Sequence, residues 1–380
     1  MTTTNGARPR AMKPIDADPA KSYTLPGWAY VDPDIFEREK QAIFYRGWHY
    51  AGPLAALAKP GDYVTATIVD QGVFVVRGHD GVLRGFYNVC QHRGHELLKG
   101  RGNTRLVITC PYHAWAYDTD GSLRTARGSE TMASFDRSEF CLKPVRVEVF
   151  ADHFVFFNLD NDAKPLVEQA SDLADELRRD VTGFDKLTPA FEREGSIRCN
   201  WKVAVDNYLE CYHCGPAHPA FADLLKMDDY RTRSADIWSS QKGVLARADN
   251  AAYPVRRNAP QQKGLFWWLW PTTTFNVLPG SPGIGLFNFM PGPTATETIT
   301  TGDRFYLPGE TDETEDSARQ AYGRDVLGPE DAGLCESVQR GLASRGYSQG
   351  RFIADPNESQ MTEHAVHHFH ALVAKALALR

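Results

Sequence analysis

The sequence predicts an α+β protein in which a small all-β domain precedes a larger domain of mixed strands and helices. Three observations carry that expectation. Short alternating segments separated by Gly, Asp and Pro fill residues 61–157 (YVTATIV, VFVVRG, LRGFYNV, RLVIT, VRVEVF, HFVFFNL), the pattern of small antiparallel sheets. Beyond residue 184, strands (IRCNWKV, GLFWWLW, TTFNVLP, GIGLFNFMP) alternate with helical stretches near 203–212, 312–325, 328–345 and 358–378. Finally, 380 residues with 42% hydrophobic and 24% charged positions suffice for two or three folded units with a sizeable core.

In chain order, residues 1–47 read as an N-terminal arm that packs on the larger domain. It contains an amphipathic helix opened by Pro33-Asp34 and closed before Trp48. Residues 48–160 form the β domain and 161–380 the α+β domain, with a charged helical connector over 162–183. The acidic stretch GETDETEDSARQ reads as a solvated helix start. A net charge of −6 and a pI near 6.1 exclude a non-specific nucleic-acid binder and a polybasic membrane partner. With no apolar leader and no long apolar run, the expected location is cytoplasmic, with no membrane contact. Seven cysteines in so long a chain suggest metal ligation sooner than a disulfide framework.

The β domain holds Cys90-Gln91-His92 and Cys110-Pro111-Tyr112-His113, that is C-x-H, 17 residues, then C-x-x-H. Two short loops can place these four side chains on one inorganic centre. Zinc also takes two Cys and two His, but its fingers pair C-x-x-C with H-x₃₋₅-H. Here each half gives one of each, which suits a [2Fe-2S] cluster with two ligands per iron. Exchanging two thiolates for imidazoles raises the reduction potential of such a cluster and suits it to accept electrons. Gly94 and Pro111 fit tight loops around such a centre. His95 matches neither spacing and is expected not to ligate.

A second constellation runs from Asn200 to His218. Asp206, Glu210 and His213 stand at i, i+4 and i+7, so a continuous helix would gather them on one face. Pro216 would then break the helix and return His218 to the same centre. Two imidazoles and a carboxylate with open positions form the facial triad of Fe(II) oxygen chemistry. Cys211 and Cys214 spell C-x-x-C and read as packing, with no chemistry assigned. His364, His367, His368 and His370 share a predicted helix without an acid or thiol to close a site, and they too read as packing or surface.

NVCQHRGHELL followed by CPYHAWAYDTDGSL resembles the Rieske domain of ring-hydroxylating and related oxygenases, and the segment 200–218 is similar to the N-W-K … D/E-x-x-H-x₄-H pattern of their catalytic domain. The resemblance implies a Rieske domain ahead of a helix-grip-like catalytic domain. It implies that Cys90 and Cys110 hold one cluster iron, that His92 and His113 hold the other, and that His213 and His218 ligate a mononuclear Fe(II). Glu210 would bridge to a neighbouring Rieske centre, with Asp206 as the alternative, and Asn207 would lie beside the metal. GPEDAGLCESVQRGL resembles the family's E-D-x₄-E-x-V-Q helix, which implies Asp331 as the third ligand, with Glu330 and Glu336 as alternatives. The co-substrate would be O₂. Lacking a dinucleotide fingerprint and plant-type cluster spacing, the chain would draw NAD(P)H electrons through a separate flavin/[2Fe-2S] reductase. The family also implies a head-to-tail homotrimer that sets each cluster beside a neighbour's iron.

Aromatic residues crowd the strands after this segment: Phe266 to Trp270, Phe275, Phe287 and Phe289. They could pack a core, or their faces could hold a methylated ammonium by cation–π attraction. From about Trp48 onward the chain resembles the glycine betaine, carnitine and proline betaine oxygenases through DNYLECYHC, the W-L-W-P strand, CESVQRGL and the final E-x-x-V-x-x-F-H helix. That implies a monooxygenase acting on a small quaternary ammonium compound at an N-methyl or neighbouring carbon, with C–N cleavage to follow. Tyr208, Phe266, Trp268 and Trp270 are the expected substrate contacts. The alternative is the alpha subunit of an aromatic-ring-hydroxylating dioxygenase.

Overall fold

Alternating apolar positions in Asp62–Ile68, Gln71–Arg77, Leu83–Tyr87, Pro144–Phe150 and Phe154–Asn158 build the first sheet, which His49–Pro53 and Arg101–Asn103 complete at its two edges. A computed structural model describes residues 12–379, so the first eleven residues of the expected arm lie outside the described residues. All seven strands are antiparallel. A three-stranded sheet (Ile108–Thr109, Ala116–Tyr117, Leu123–Thr125) follows the second Cys–His loop's approach and return. RLVIT thus forms a strand only over its last two residues.

The larger sheet is again antiparallel throughout. Its order is Thr188–Ile197, Thr298–Tyr306, Gly283–Pro291, Thr273–Val277, Lys263–Leu269, Trp238–Val244 and Arg231–Ala235. Three helices bear on the site beside this sheet: Trp201–Tyr208, Gly328–Leu342 and His364–Ala376. Among the described residues no helix is long and apolar enough to cross a membrane.

Two expectations give way at the helix Trp201–Tyr208. NWKV does not continue a strand, because the Asn200 side chain accepts the Lys202 N–H and caps a helix. Nor does that helix reach residue 212. Tyr208 donates its hydroxyl to the carbonyl of Trp267 (3.1 Å), while Gln241 donates its amide to the Tyr208 carbonyl (2.6 Å). The sheet thus satisfies a group that a further turn would have used, and the helix stops.

The arm forms two short helices, Trp28–Val31 and Pro33–Glu39, because Asp32 caps the second and Pro33 opens it. Glu39 reaches the fully buried Lys202 and accepts from Trp201 Nε1 (2.9 Å). Leu25 and Tyr30 of the arm, Val73 and Val75 of the first sheet, Val203 and Val205 of the site helix, and Phe369 of the last helix share one buried cluster. The acidic stretch begins a helix, Glu313–Tyr322, with Asp312 as its cap, but it is not simply solvated. Glu315 and Asp316 are buried: Glu315 accepts from Ser281 Oγ and the Arg256 N–H, and Asp316 pairs with Arg319.

Candidate metal centres

Cys90 and Cys110 head two loops of one form. In each, the cysteine N–H donates five residues ahead (to His95 O and Trp115 O, both 2.8 Å), and the residue four ahead donates back to the cysteine carbonyl (Gly94 and Ala114, both 3.0 Å). Those returning residues are left-handed, with φ of +73° at Gly94 and +59° at Ala114. Both thiols are buried, whereas His92 is exposed and His113 partly so. The two imidazoles lie 4.7 Å apart, and Trp115 stacks on His92. Because the Tyr117 hydroxyl accepts the Gln91 N–H (3.0 Å), its own proton is free for Cys90 Sγ at 3.3 Å. Buried sulfurs within and imidazoles at the rim fit a [2Fe-2S] cluster with unlike irons. His95 stays outside this set, its ring against the Glu96 carbonyl.

The second centre draws on a helix end, a turn and a distant helix. Past Leu209 the chain turns through Glu210 to His213, and Cys211 and Cys214, read as packing, are joined by a disulfide with Cα atoms 4.8 Å apart. Pro216 sits within the short helix Cys214–Ala217, which delivers His218 at its end. Ligand atoms of His213, His218 and Asp331 fall within 4.8 Å of one another. Each imidazole is aimed by an outer carboxylate: His213 Nδ1 faces Glu210 Oε1 (2.5 Å) and His218 Nδ1 faces Glu330 Oε2 (2.7 Å). Both Nε2 atoms turn to Asp331 Oδ1, at 3.6 and 2.9 Å. With Nδ1 donating outward, each Nε2 lone pair is left for a metal, the usual support of a ligating histidine.

Burial opposes charge on His213, yet hydrogen bonds to Asp331 and Glu210 outweigh it and push its pKa up to about 9. Burial likewise opposes charge on Asp331, and the two imidazoles still hold its carboxyl below the usual range. The pocket therefore calls for a cation, and a divalent metal would take the place of the protons. Of the alternative acids, Glu330 orients His218 and Glu336 pairs with Arg198 at the surface (2.9 Å).

Asp206 does not share this face. It accepts from Tyr30 Oη (2.7 Å) and from His370 Nε2 (2.9 Å), whose Nδ1 accepts the Leu25 N–H (2.9 Å). The end of the helix at Tyr208 separates Asp206, the alternative expected for the bridge, from Glu210. Asn207 does reach the centre, with its amide 3.3 Å from His213 Nε2.

The centre opens into a cavity of about 470 Å³. Tyr208 and Phe266 line it, as do Phe287 and Phe289. Trp268 and Trp270 do not. Trp268 is fully buried with its indole N–H on Pro271 O (3.1 Å), and both rings pack on Phe369 of the last helix. Residues not anticipated on the wall are Phe221, Tyr230, Gln241 and Arg193. The strand members among them follow the period of two that puts 193, 195 and 197 on one face, with 287 and 289 beside them.

Residues 47–136 match the Rieske [2Fe-2S] domain, and residues 180–379 match the ring hydroxylating alpha subunit catalytic domain. The chain is 40% identical to the carnitine monooxygenase oxygenase subunit of Acinetobacter pittii over 360 residues, 94% of this chain and 96% of that one. It is 29% identical to the chloroplastic choline monooxygenase of Spinacia oleracea, covering 94% of this chain and 79% of the relative. The crystal structure of the quaternary ammonium Rieske monooxygenase CntA with L-carnitine superposes with a TM-score of 0.85 at 39% identity, covering 96% of this chain and 99% of that one. With its paired Cys–His loops, its two-histidine, one-aspartate centre and this extent of likeness, the chain belongs to the Rieske non-haem iron oxygenases.

Proposed function

We propose that the chain is the oxygenase subunit of a multicomponent monooxygenase that hydroxylates a carnitine-type quaternary ammonium compound, at an N-methyl group or a neighbouring carbon, ahead of C–N cleavage. The observation that carries this reading is the convergence of His213, His218 and Asp331 in a cavity walled by aromatic rings. Identity of 40% to carnitine monooxygenase subunits supports the substrate class over an arene. When bound, the cluster and the iron would supply stored electrons and the activation of O₂.

The chain's own residues do the positioning. Cys90, Cys110, His92 and His113 hold the cluster, and His213, His218 and Asp331 hold the iron. Glu210 and Glu330 fix the imidazole tautomers, and Asn207 sits where it can orient a small ligand beside His213. Tyr208 is a rigid wall, its hydroxyl tied to Trp267 O and Asn276 Oδ1 (3.0 Å). Exposure of His92 at the cluster rim supports docking of this edge against a neighbouring subunit in a homotrimer, with Glu210 as the link between centres. A reductase carrying flavin and a [2Fe-2S] centre completes the electron supply, in the cytoplasm. The domain limits follow as 48–160 and 161–380.

Turnover with a Rieske-oxygenase reductase, NADH and O₂ tests this. L-carnitine is expected to be consumed with product appearing at the C–N bond, as formaldehyde or as trimethylamine. Formation of an arene cis-diol with no loss of L-carnitine, glycine betaine or choline would sink it.

A further inference from the structure

Arg193 lines the cavity from the edge strand Thr188–Ile197. Its neighbours in the sheet explain where its head lies. Arg193 pairs with Gly302, and Gly302 pairs with Phe287 on the next strand, so all three share one face. Glycine leaves the middle of that row empty. A Cβ on Gly302 would meet Phe287 Cδ1 at 2.8 Å and the Leu286 carbonyl oxygen at 1.9 Å. The guanidinium carbon therefore comes to 5.7 Å from the Phe287 ring centre, and one terminal nitrogen to 3.9 Å from where a Cβ on Gly328 would stand. Gly328 begins the helix that carries Asp331. Three residues of helix rise separate them, roughly 4.5 Å along the axis.

Among the described residues no carboxylate pairs with Arg193, whereas its basic neighbours are provided for: Arg324 meets Asp325, and Arg304 lies by Asp316. Arg193 is exposed as a residue, yet partial burial first, and the charge of Arg304 second, lower its pKa. The cavity lining so combines metal ligands, aromatic faces and a planar cation with no carboxylate partner among the described residues. A guanidinium offers two parallel N–H donors that match a carboxylate's two oxygens.

We propose that Arg193 is the residue that reads the anionic end of the substrate, so that the site takes a zwitterion, an ammonium with a carboxylate on the same short chain, in preference to an uncharged-tail ammonium alcohol or amide. The inference rests on the quaternary ammonium reading of the same cavity. It assigns to one side chain the difference between two relatives' substrates, since carnitine bears a carboxylate and choline none.

The test compares L-carnitine with L-carnitinamide, which keeps the ammonium, the hydroxyl and the chain length and removes the charge. In the wild type, kcat/KM is expected to favour the acid. In Arg193→Gln the ratio of the two kcat/KM values should fall at least about tenfold, through KM for the acid, since a charge-assisted bidentate pair is among the stronger polar contacts. Arg193→Lys should restore part of that ratio. Iron content and cluster absorption at wild-type levels show that each variant is folded. A ratio unmoved in Arg193→Gln, or a parallel loss on both substrates, overturns the proposal while the quaternary ammonium reading stands. Wild-type enzyme that oxidises neither compound overturns the reading beneath it and this inference with it.

Discussion

The two centres are built in opposite ways. The cluster loops repeat one local design, with ligands two or three residues from each cysteine and the halves 20 positions apart in sequence (Cys90 and Cys110). The iron site takes two ligands from a turn stopped by contacts with the sheet and the third from a helix 113 residues beyond His218. A centre of the first kind is written in spacing, whereas one of the second kind exists only once the large sheet and its helices have packed. Separate variants should therefore break one centre and spare the other.

Asp331→Ala should have the largest effect. Product formation and mononuclear iron should both vanish, while the visible absorption of the cluster persists. Loss of the cluster spectrum in this variant would show that the centres are not independently built. Glu210→Gln comes next. At saturating iron it should retain both centres and lose about 10–100-fold in turnover, as changes to a ligand's outer carboxylate do. Unchanged turnover would remove Glu210 from both roles given to it. The smallest effects lie in the loop pair itself. Ala114→Gly should stabilise by about 1 kcal/mol and Gly94→Ala should cost about as much, because both positions are left-handed and only one has glycine. Thermal unfolding reads both, and equal shifts of one sign would refute the likeness of the loops.

What could be read from the sequence follows the same division. C-x-H and C-x-x-H name four side chains that the fold brings to two matching loops, and the alternating strands of the first sheet stand where expected, whereas RLVIT forms a strand only over Ile108–Thr109 in the three-stranded sheet. Asp331 needed a family resemblance, since nothing local distinguishes it from Glu330, which turned out to aim His218. Asp206 was placed by extending a helix that stops at Tyr208, and its cause, the Gln241 amide, lies 33 residues away. Residue type suggests an aromatic cage and makes substrate contacts of Trp268 and Trp270. Burial under the last helix decided otherwise, a tertiary fact that composition does not hold. A lone arginine in a strand carries no signal, and Arg193 stands out only beside Gly302 and Phe287 of the neighbouring strands.

The Leu25, His370 and Asp206 chain also bears on when the iron site can form. Its hydrogen bonds span 345 and 164 residues, so Asp206, which can meet Tyr30 behind it at once, meets His370 only after 164 further residues have been made. The helix leading to Glu210 and His213 is tied to the arm through Glu39 and Tyr30 beforehand, and His370 adds the last of these contacts. By contrast, the loops around Cys90 and Cys110 and most of their sheet are complete once residue 158 has emerged. Synthesis thus favours an order in metal loading, with the cluster pocket ready early and the iron pocket later, since Asp331 lies 113 residues beyond His218.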